Sequence, residues 1–585
     1  MEQSRGRCSS LSFKALLITQ ALGALNDNLF KTVVALLFLN EIAKEATKVA
    51  YLSASLAFFV LPYVLFSGYA GWLSDRYSKV WVIRGTKLLE VVIMFLGVIG
   101  FLLKAPSFLI FVVFLMGFQS ALFSPAKYGI LPEMLSEEEL SKGNGYLELF
   151  TFLAIIAGTA LAGFSSSMSN PGVLSLLIAF AGMGTSFLIK DVNASEHYPK
   201  FVLNPFKNNI TFLKKIREQK GLWLTVLGIA YFWFLGGVFQ MNIMIFSKEE
   251  LALTDSLTGI LLAILGIGIG IGSTVAGKVS EGKVELGLVP LGALGLTIFS
   301  FLLGVTSSYI LVALWVFLIG TSSGFFIVPL NAYLQAKSPQ KERGRYIASS
   351  NFFTFVAVLI ASFLFWIAEG VLEVKPSQVF IIISGITVLV SLYLLKLLPE
   401  MLARCINWII IHLFYRIEKI NFQNLPKEGG ALLVCNHVSY IDAQLLLASI
   451  PRPVRFLMYR PIYELALVKP LAKAVGAIPI AAKDGREKIS KTLKYCAELI
   501  KKGELVGIFA EGGITRDGEV QEFKKGLETI MEGLSEPIVP VALKEVWGSI
   551  FSFSEGKVLF KKPKKIPYPV KIIFGKPLPS SAKAY

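Results

Sequence analysis

Asn436-His437-Val438-Ser439-Tyr440-Ile441-Asp442 puts an imidazole and a carboxylate five positions apart, in a stretch that reads as a tight loop entering a helix. Folded together, the carboxylate holds one ring nitrogen while the other accepts a proton from an attacking hydroxyl. That is the chemistry of esterification. The chain has three histidines. His197 falls in a hydrophilic loop and His412 in an apolar helical stretch, neither with an Asp five residues later, so His437 is the candidate base.

The elements that must hold this pair lie beyond residue 400, where Lys, Glu and Pro become frequent, apolar runs shorten to strand length, and a turn appears at Glu428-Gly429-Gly430. Ala431-Leu432-Leu433-Val434-Cys435 reads as a strand feeding the His437 loop, with a helix following around 443–449. Lys-rich helical stretches then alternate with apolar runs at 478–480, 505–510, 538–543 and 570–574, which predicts an α/β domain. Residues 402–420 read as one apolar helix, too short and too charged at its ends to span a bilayer, and so lying in the membrane plane.

Together with Phe509-Ala510-Glu511-Gly512-Gly513-Ile514-Thr515-Arg516, the His437 block resembles the signature of glycerolipid acyltransferases. The resemblance implies that His437 is the general base, that Asp442 orients it, and that the lipid hydroxyl attacks an acyl thioester directly. In the second block, Gly476-Ala477-Ile478-Pro479-Ile480 is followed by Ala481-Ala482-Lys483 where the family commonly has Arg, so Lys483 is its expected phosphate-binding residue. In the third, Glu511, Gly512 and Gly513 match a turn whose glycines let backbone N–H groups approach a phosphate, and Arg516 adds charge. Ala510 replaces the common Pro there, and Ile514 lengthens the spacing. Val539-Pro540-Val541 resembles the fourth block, with Pro540 expected to line the acyl pocket.

The rest of the chain reads differently. Of its 585 residues 54% are hydrophobic and 17% charged, and the apolar runs extend from Leu11 to about Leu398. A bilayer-spanning helix needs about 20 apolar residues, and twelve such windows run from 13–39 to 377–398. The first is interrupted by Asn26-Asp27-Asn28 and lacks a small-residue cleavage site, so it reads as a retained helix and not a signal peptide. Basic residues crowd the loops after the second, sixth and tenth windows, which predicts that both termini are cytoplasmic. Gly71-Trp72-Leu73-Ser74-Asp75-Arg76 is echoed by Gly277-Lys278-Val279-Ser280-Glu281-Gly282, and Leu149-Phe150-Thr151-Phe152 by Phe352-Phe353-Thr354-Phe355. Both offsets slightly exceed 200 residues, as expected for two six-helix bundles related by an axis along the membrane normal. Gly71, Asp75, Arg76 and Lys79 resemble the loop motif of the major facilitator superfamily, with Ser78 standing where that motif usually has Gly. The resemblance implies close helix approach at Gly71 and charges that clasp one transport state.

An ionised group at bilayer depth costs at least about 2.5 kcal/mol and normally lines a cavity. Asp27 and Lys127 are the candidate cavity charges, Lys127 alternatively reaching the cytoplasmic headgroups; Lys31, one turn from Asp27, either joins it in the cavity or neutralises it as a packing pair. Asn26-Asp27-Asn28 and Ser124-Pro125-Ala126-Lys127-Tyr128-Gly129 resemble the lysophospholipid transporter branch of that superfamily. This implies an importer, or flippase, delivering lysophospholipid to the cytoplasmic leaflet, with Asn28 among its transport residues; Gln119, Gln240 and Asn242 either add hydrogen bonds there or tie helices together.

The fold expectation is therefore an α-helical membrane protein of twelve spans in two six-helix bundles, followed by an α/β acyltransferase domain. Its expected divisions are 1–400 for the transporter, 401–425 for an interfacial helix and linker, and 426–585 for the enzyme. A bifunctional flippase and acyltransferase of the bacterial inner membrane, restoring lyso-phosphatidylethanolamine to its diacyl form, follows from the resemblance. The alternative is a 1-acylglycerol-3-phosphate acyltransferase fused to an unrelated exporter or an inert anchor. The acyl donor is expected to arrive activated, as acyl carrier protein thioester or acyl-CoA, with no bound cofactor. The formal charge of +17, carried partly by Lys561-Lys562-Pro563-Lys564-Lys565, suits anionic headgroups, and no nucleic acid is expected. Cys8, Cys405, Cys435 and Cys496 lack paired spacing, so neither disulfide nor metal site is expected.

Overall fold

The computed structural model describes residues 8–584 apart from 42–44, 166–167, 169, 192–199, 281–283, 555–557, 559–561 and 563–564. His197, Glu281, Gly282, Lys561, Pro563 and Lys564 lie outside the described residues. The chain divides into two compact units, Met1–Leu394 and Leu395–Tyr585.

In the first unit each of the twelve predicted windows falls on a helix. Leu11–Glu41, Glu45–Arg76, Lys79–Leu102, Pro106–Gly129, Glu137–Ser165 and Gly172–Ser186 form the first half. Lys220–Glu249, Asp255–Val279, Leu288–Gly304, Tyr309–Lys337, Arg343–Trp366 and Pro376–Leu397 form the second, and Pro205–Glu218 is an amphipathic helix between the halves. Among the described residues nine helices, not twelve, are long and apolar enough to cross a membrane. Gly172–Ser186 and Leu288–Gly304 are apolar but have only 15 and 17 residues; at 1.5 Å per residue they fall short of the ~30 Å hydrocarbon core. Leu11–Glu41 has 31 residues but carries the polar Asn26–Lys31 turn.

The duplication shows in the packing. Glu45–Arg76 meets Arg343–Trp366, and Glu137–Ser165 meets Asp255–Val279, so each half offers the corresponding pair of helices to the other. Gly71 permits the first contact: a Cβ there would stand 2.6 Å from the Cβ of Ala348. Gly145 permits the second, because a Cβ there would collide with the carbonyl oxygen of Ser273. Outward positions such as Leu88, Val92, Phe95, Ile382 and Leu389 are exposed and apolar, as a lipid-facing surface requires.

The second unit is a seven-stranded sheet flanked by helices. Its strands are β1 (Tyr415–Ile420), β2 (Ala431–Cys435), β3 (Val454–Tyr459), β4 (Ile478–Ile480), β5 (Leu505–Phe509), β6 (Ile538–Lys544) and β7 (Tyr568–Phe574). They lie in the order β1-β7-β6-β2-β5-β3-β4, parallel except for the β6–β7 pair. β2 is buried at every position, because Leu433 and Cys435 enter the core of one face while Leu432 and Val434 enter the other.

Two strands depart from the sequence reading. The helix expected over 402–420 is Pro399–Phe414, and Tyr415–Ile420 becomes β1, paired in register from Tyr415↔Tyr568 to Ile420↔Ile573. Tyr-Arg-Ile-Glu-Lys-Ile alternates with period two, and pairing with β7 overrides its continuity with the apolar helix before it. β3 was not expected because Arg455 interrupts its apolar run; the guanidinium is carried out of the core to Glu504 at 2.7 Å and Glu400 at 3.1 Å.

Candidate functional site

The His437 loop is anchored before it begins. Asn436 extends β2 by accepting from Leu543 N at 2.7 Å and donating to Leu543 O at 3.1 Å, so its side chain mimics a further ladder pair to β6. The chain then turns, and Asp442 opens the helix Asp442–Ser449 with its side chain fully buried. One oxygen, Oδ2, accepts from His437 Nδ1 at 2.9 Å, Val438 N at 2.6 Å and Ser439 N at 2.8 Å. Burial pushes the Asp442 carboxyl above the usual carboxylate range, and these bonds pull it back toward the ionised form. With the Nδ1 proton directed at Asp442, Nε2 is left as the acceptor. The ring stacks on Phe509 with centroids 4.1 Å apart, which fixes its plane. A fifth of the His437 side chain remains exposed, enough for a hydroxyl to reach it.

The Glu511 block is bonded into the same loop. Glu511 is buried; its Oε1 accepts from His437 N at 2.8 Å and its Oε2 from Gln521 N at 3.0 Å. Thr515 N donates to His437 O at 2.9 Å. Expected among the substrate contacts, Glu511 has both oxygens engaged within the protein, one on the His437 backbone and one on that of Gln521. Gly512 adopts φ +73°, where a side chain is strained, and a Cβ on Gly513 would meet open space.

The basic candidates separate. Arg516 is exposed, its guanidinium 3.8 Å from the Phe553 ring centroid. Lys483 is exposed on the turn after β4, three strands from β2, which is roughly 14 Å at the usual strand spacing. Lys524, not singled out from the sequence, is the cation at the glycine turn. A Cβ on Gly512 would lie 2.5 Å from Lys524 Nζ, and Lys524 N donates to Ala510 O at 2.8 Å. Its only sequence signal is Lys524-Lys525-Gly526 ahead of a helix, one basic pair among many. Pro540 sits opposite Val434 on β6 and lines a largely apolar cavity of about 700 Å³, together with Asn436, Val438, Phe523, Leu527 and Trp547. Among the described residues no three His, Cys, Asp or Glu side chains are placed to share a metal ion.

In the membrane unit, Ser120 Oγ lies 2.8 Å from Asp27 Oδ2 and 3.1 Å from Gln119 Oε1; its single proton serves one of them. Lys31 does not pair with Asp27 in an ion bridge among the described residues; its ammonium stands 4.0 Å from the centre of the Phe59 ring. Lys127 lies 4.5 Å from the Tyr128 ring centre and within electrostatic range of Glu148 and Asp27. Glu148, which the sequence reading passed over, accepts from Tyr128 OH and Asn331 Nδ2, each at 3.3 Å, and so gathers three helices. A second overlooked group is the buried Lys87–Glu90 pair at 2.6 Å, with Asn26 donating to Glu90 at 2.9 Å. Three candidates lie elsewhere. Asn28 donates back to Ala24 O at 2.8 Å, Asn242 donates to Pro376 O at 2.9 Å as a tie between helices, and Gln240 is exposed.

Of the loop residues, Asp75 accepts from Gly344 N at 2.6 Å and pairs with Arg345 Nε at 2.8 Å, so it caps the start of Arg343–Trp366. Lys79 pairs with Glu133 at 2.5 Å, and Arg76 lies 6.0 Å from the Tyr77 ring centre.

Two bundles exchanging corresponding helices, with sparse charges at membrane depth, define a membrane transporter; the sheet with its His437–Asp442 loop defines an attached α/β enzyme domain. Residues 16–362 match the Major Facilitator Superfamily and residues 416–544 match the Acyltransferase family. The chain belongs to the major facilitator superfamily and carries an acyltransferase domain, as a multi-pass membrane protein. It is 29% identical over 342 residues to the lysophospholipid transporter LplT of Pectobacterium carotovorum subsp. carotovorum (strain PC1), covering 56% of this chain and 79% of that one. Against the lysophospholipid transporter LplT of Cronobacter sakazakii (strain ATCC BAA-894) it is 28% identical over 385 residues, 63% of this chain and 91% of the relative. Among solved structures, the human organic anion transporter MFSD10 superposes with a TM-score of 0.57 at 13% identity, over 66% of this chain and 99% of that one. A bacterial homologue of the iron transporter ferroportin in its outward-facing state gives 0.52 at 16%, over 65% and 98%. These two show the fold.

Proposed function

We propose that this chain brings lysophospholipid, with lyso-phosphatidylethanolamine the leading substrate, to the cytoplasmic leaflet of a bacterial inner membrane and reacylates it there. The observation that carries the enzymatic half is the 2.9 Å bond from His437 Nδ1 to the buried Asp442 carboxylate. His437 Nε2 takes the proton from the free glycerol hydroxyl as its oxygen attacks the thioester carbonyl. The C–S bond breaks as the ester forms, and the thiol leaves with a proton returned by the imidazolium. Phe509 and Asp442 hold the ring for this exchange, Glu511 holds the loop, and the Gly512 turn with Lys524 receives the lipid phosphate. The cavity beside Pro540 is of a size to take part of an acyl chain. The donor is an acyl carrier protein thioester or acyl-CoA.

The transport half is supported by the LplT relatives and by the opposed charges Asp27, Lys127 and Glu148, which suit a zwitterionic headgroup. Both termini and the enzyme domain are assigned to the cytoplasm, where the thioester donor is made. The test is reconstitution into vesicles with one labelled lysolipid outside and one activated acyl donor within. Labelled diacyl product supports the reading, and uptake without product in the His437→Ala protein assigns the two steps to separate modules. Uptake with no product in the unmodified protein, with either donor, overturns it.

A further inference from the structure

The connection between β3 and β4 presents a group of large apolar side chains to solvent, with nothing of this chain covering them among the described residues. Tyr459 is 56% exposed, Leu465 54%, Leu467 88% and Leu471 59%. A lone exposed Leu is ordinary, but four within thirteen residues form a patch that water does not favour. Tyr459 ends β3, Leu465 and Leu467 lie on the turn between two short helices, Arg460–Tyr463 and Lys469–Ala474, and Leu471 lies on the second of them. This connection is pinned at both ends: Arg460 holds Asp484 at 2.9 Å, and Arg455 donates to Val475 O at 3.0 Å. It is a fixed protrusion and not a loose tip.

Its place in the sheet gives it a direction. β2, β5 and β3 are mutually parallel, as are β3 and β4, so the chain leaves all of them at the same edge of the sheet. His437 follows β2, the Glu511 turn follows β5 and the protrusion follows β3. A row of rings joins them: His437 stacks on Phe509 at 4.1 Å, and Phe509 on Phe456 of β3 at 5.7 Å, three residues before Tyr459. On its other side the protrusion packs against Pro399–Phe414, through the helix Lys469–Ala474. Pro399–Phe414 buries Arg404, Cys405 and Ile411 and leaves Ile410 and Leu413 exposed, a second apolar surface on the helix that the protrusion packs against.

We propose that the Tyr459–Leu471 protrusion inserts into the cytoplasmic leaflet, as a second bilayer contact beside Pro399–Phe414, and brings the His437 edge down to lipid. Chain connectivity identifies the occupant. Pro376–Leu397 is long and apolar enough to cross a membrane, and Pro399 follows it after a single residue, so Pro399–Phe414 begins within two residues of a span. The charge agrees: exposed Lys469 and Lys473 border the leucines, with Glu464 offsetting the first, as suits insertion among anionic headgroups. A hydrophobic probe at the active edge also solves a chemical problem. The lysolipid hydroxyl lies at headgroup depth, and a base held away from the leaflet would require the whole lipid to leave it.

The inference rests on the proposed acyltransferase reading for its purpose, but its test needs no turnover. The full-length protein is placed in nanodiscs, where both faces meet solvent, with Leu467→Cys carrying an environment-sensitive fluorophore. The native thiols are buried, so the introduced one takes the label. The reference is Lys491→Cys, on a side of the helix Arg486–Lys501 where the lysine is 76% exposed. Spin-labelled lipid is expected to quench the 467 label at least threefold more than the 491 label, with aqueous iodide giving the reverse order. Equal iodide quenching at the two positions overturns the proposal. So does shielding at 467 that appears only when an acidic acyl carrier protein is added, since that assigns the surface to the donor. The exposed pair Leu465→Ser with Leu467→Ser is expected to raise KM for lysolipid in a bilayer several-fold and leave turnover of a short-chain, water-dispersed lysolipid unchanged. An equal loss on both substrates overturns the proposal. If acyl transfer itself is misassigned, both activities are absent while the quenching order stands.

Discussion

Asp75 and Arg345 stand 270 residues apart in the chain and 2.8 Å apart in space, where one carboxylate both pairs with a guanidinium and caps the helix that carries it. The other oxygen of Asp75 takes Gly344 N, so the contact joins the two halves of the transporter through backbone as well as charge. Replacing Asp75 by Asn keeps an acceptor but removes the charge; replacing it by Ala removes both. Loss of a helix cap costs about 1–2 kcal/mol, which changes the balance between transport states by roughly 5–30-fold. Asp75→Ala is expected to slow lysolipid uptake by about tenfold, Asp75→Asn by less, and neither to alter acylation of lysolipid supplied on the cytoplasmic side. Initial rates in vesicles check the ordering.

His437→Ala should reduce acyl transfer by about 10²–10⁴-fold, the usual contribution of a positioned base. Asp442→Asn is the sharper variant, because an amide oxygen still accepts from Val438 N and Ser439 N while the imidazolium loses its counter-charge. Expected are a fall in kcat of similar order, little change in KM, and a folded protein by thermal melting. A variant that melts early would instead assign Asp442 to holding the loop.

Much of this site was readable beforehand, and the limit is physical. The His437–Asp442 pairing depends on five residues of local chain, so their spacing marked it once the Glu511-Gly512 block and Pro540 stood downstream. The partner of the glycine turn did not: Lys524 reaches Gly512 only because Lys524 N pairs with Ala510 O, a contact set by the loop's return and not by any local period. Lys483 was marked instead, by the second family block, and the strand order, with β4 at the sheet edge, separates it from His437. In the membrane, charge at depth marked Asp27 and Lys127, but Glu148 lies in a helix whose start is rich in Glu, where it was one acid among several. Strand β1 was lost because its alternating residues follow directly on an apolar helix.

That distinction between the two lysines is measurable. Lys524→Ala is expected to raise KM for a phosphate-bearing lysolipid by about tenfold, consistent with ~1.4 kcal/mol for a lost charge-assisted contact. Lys483→Ala should leave KM within twofold. Lys524→Arg restores charge and should recover part of the loss. Equal effects from the two alanine variants would return the phosphate role to the second block.

Glu148 gathers Tyr128 and Asn331 from separate helices and lies within electrostatic range of Lys127. Removing its charge leaves Lys127 without that compensation at membrane depth, an expensive state. Glu148→Gln is expected to abolish most lysolipid uptake, and the double variant Glu148→Gln with Lys127→Gln to recover folded yield but not transport. Acylation of lipid delivered directly should persist in both, measured on the same preparations.

The cysteines of the enzyme domain report its packing. Burial pushes the Cys496 thiol up to about 12 and the Cys435 thiol well above its ordinary range. A folded-state pKa raised above the unfolded value of about 8.5 means the native domain keeps protons that the unfolded chain releases. Stability from this source is complete below about pH 8.5 and declines as pH rises toward about 12. At pH 8 the thiolate fraction of Cys496 should be roughly three orders of magnitude below that of a free thiol. Alkylation of the intact protein is therefore expected to be negligible at pH 8 and complete in denaturant. The temperature at which Cys496 becomes reactive should fall as the buffer is raised from pH 8.5 to 10.5, and Cys435→Ala should flatten that dependence. Rapid labelling of Cys496 at pH 8 in the folded protein would show that the helix Arg486–Lys501 opens from the sheet, and with it the support beneath the Glu511 turn.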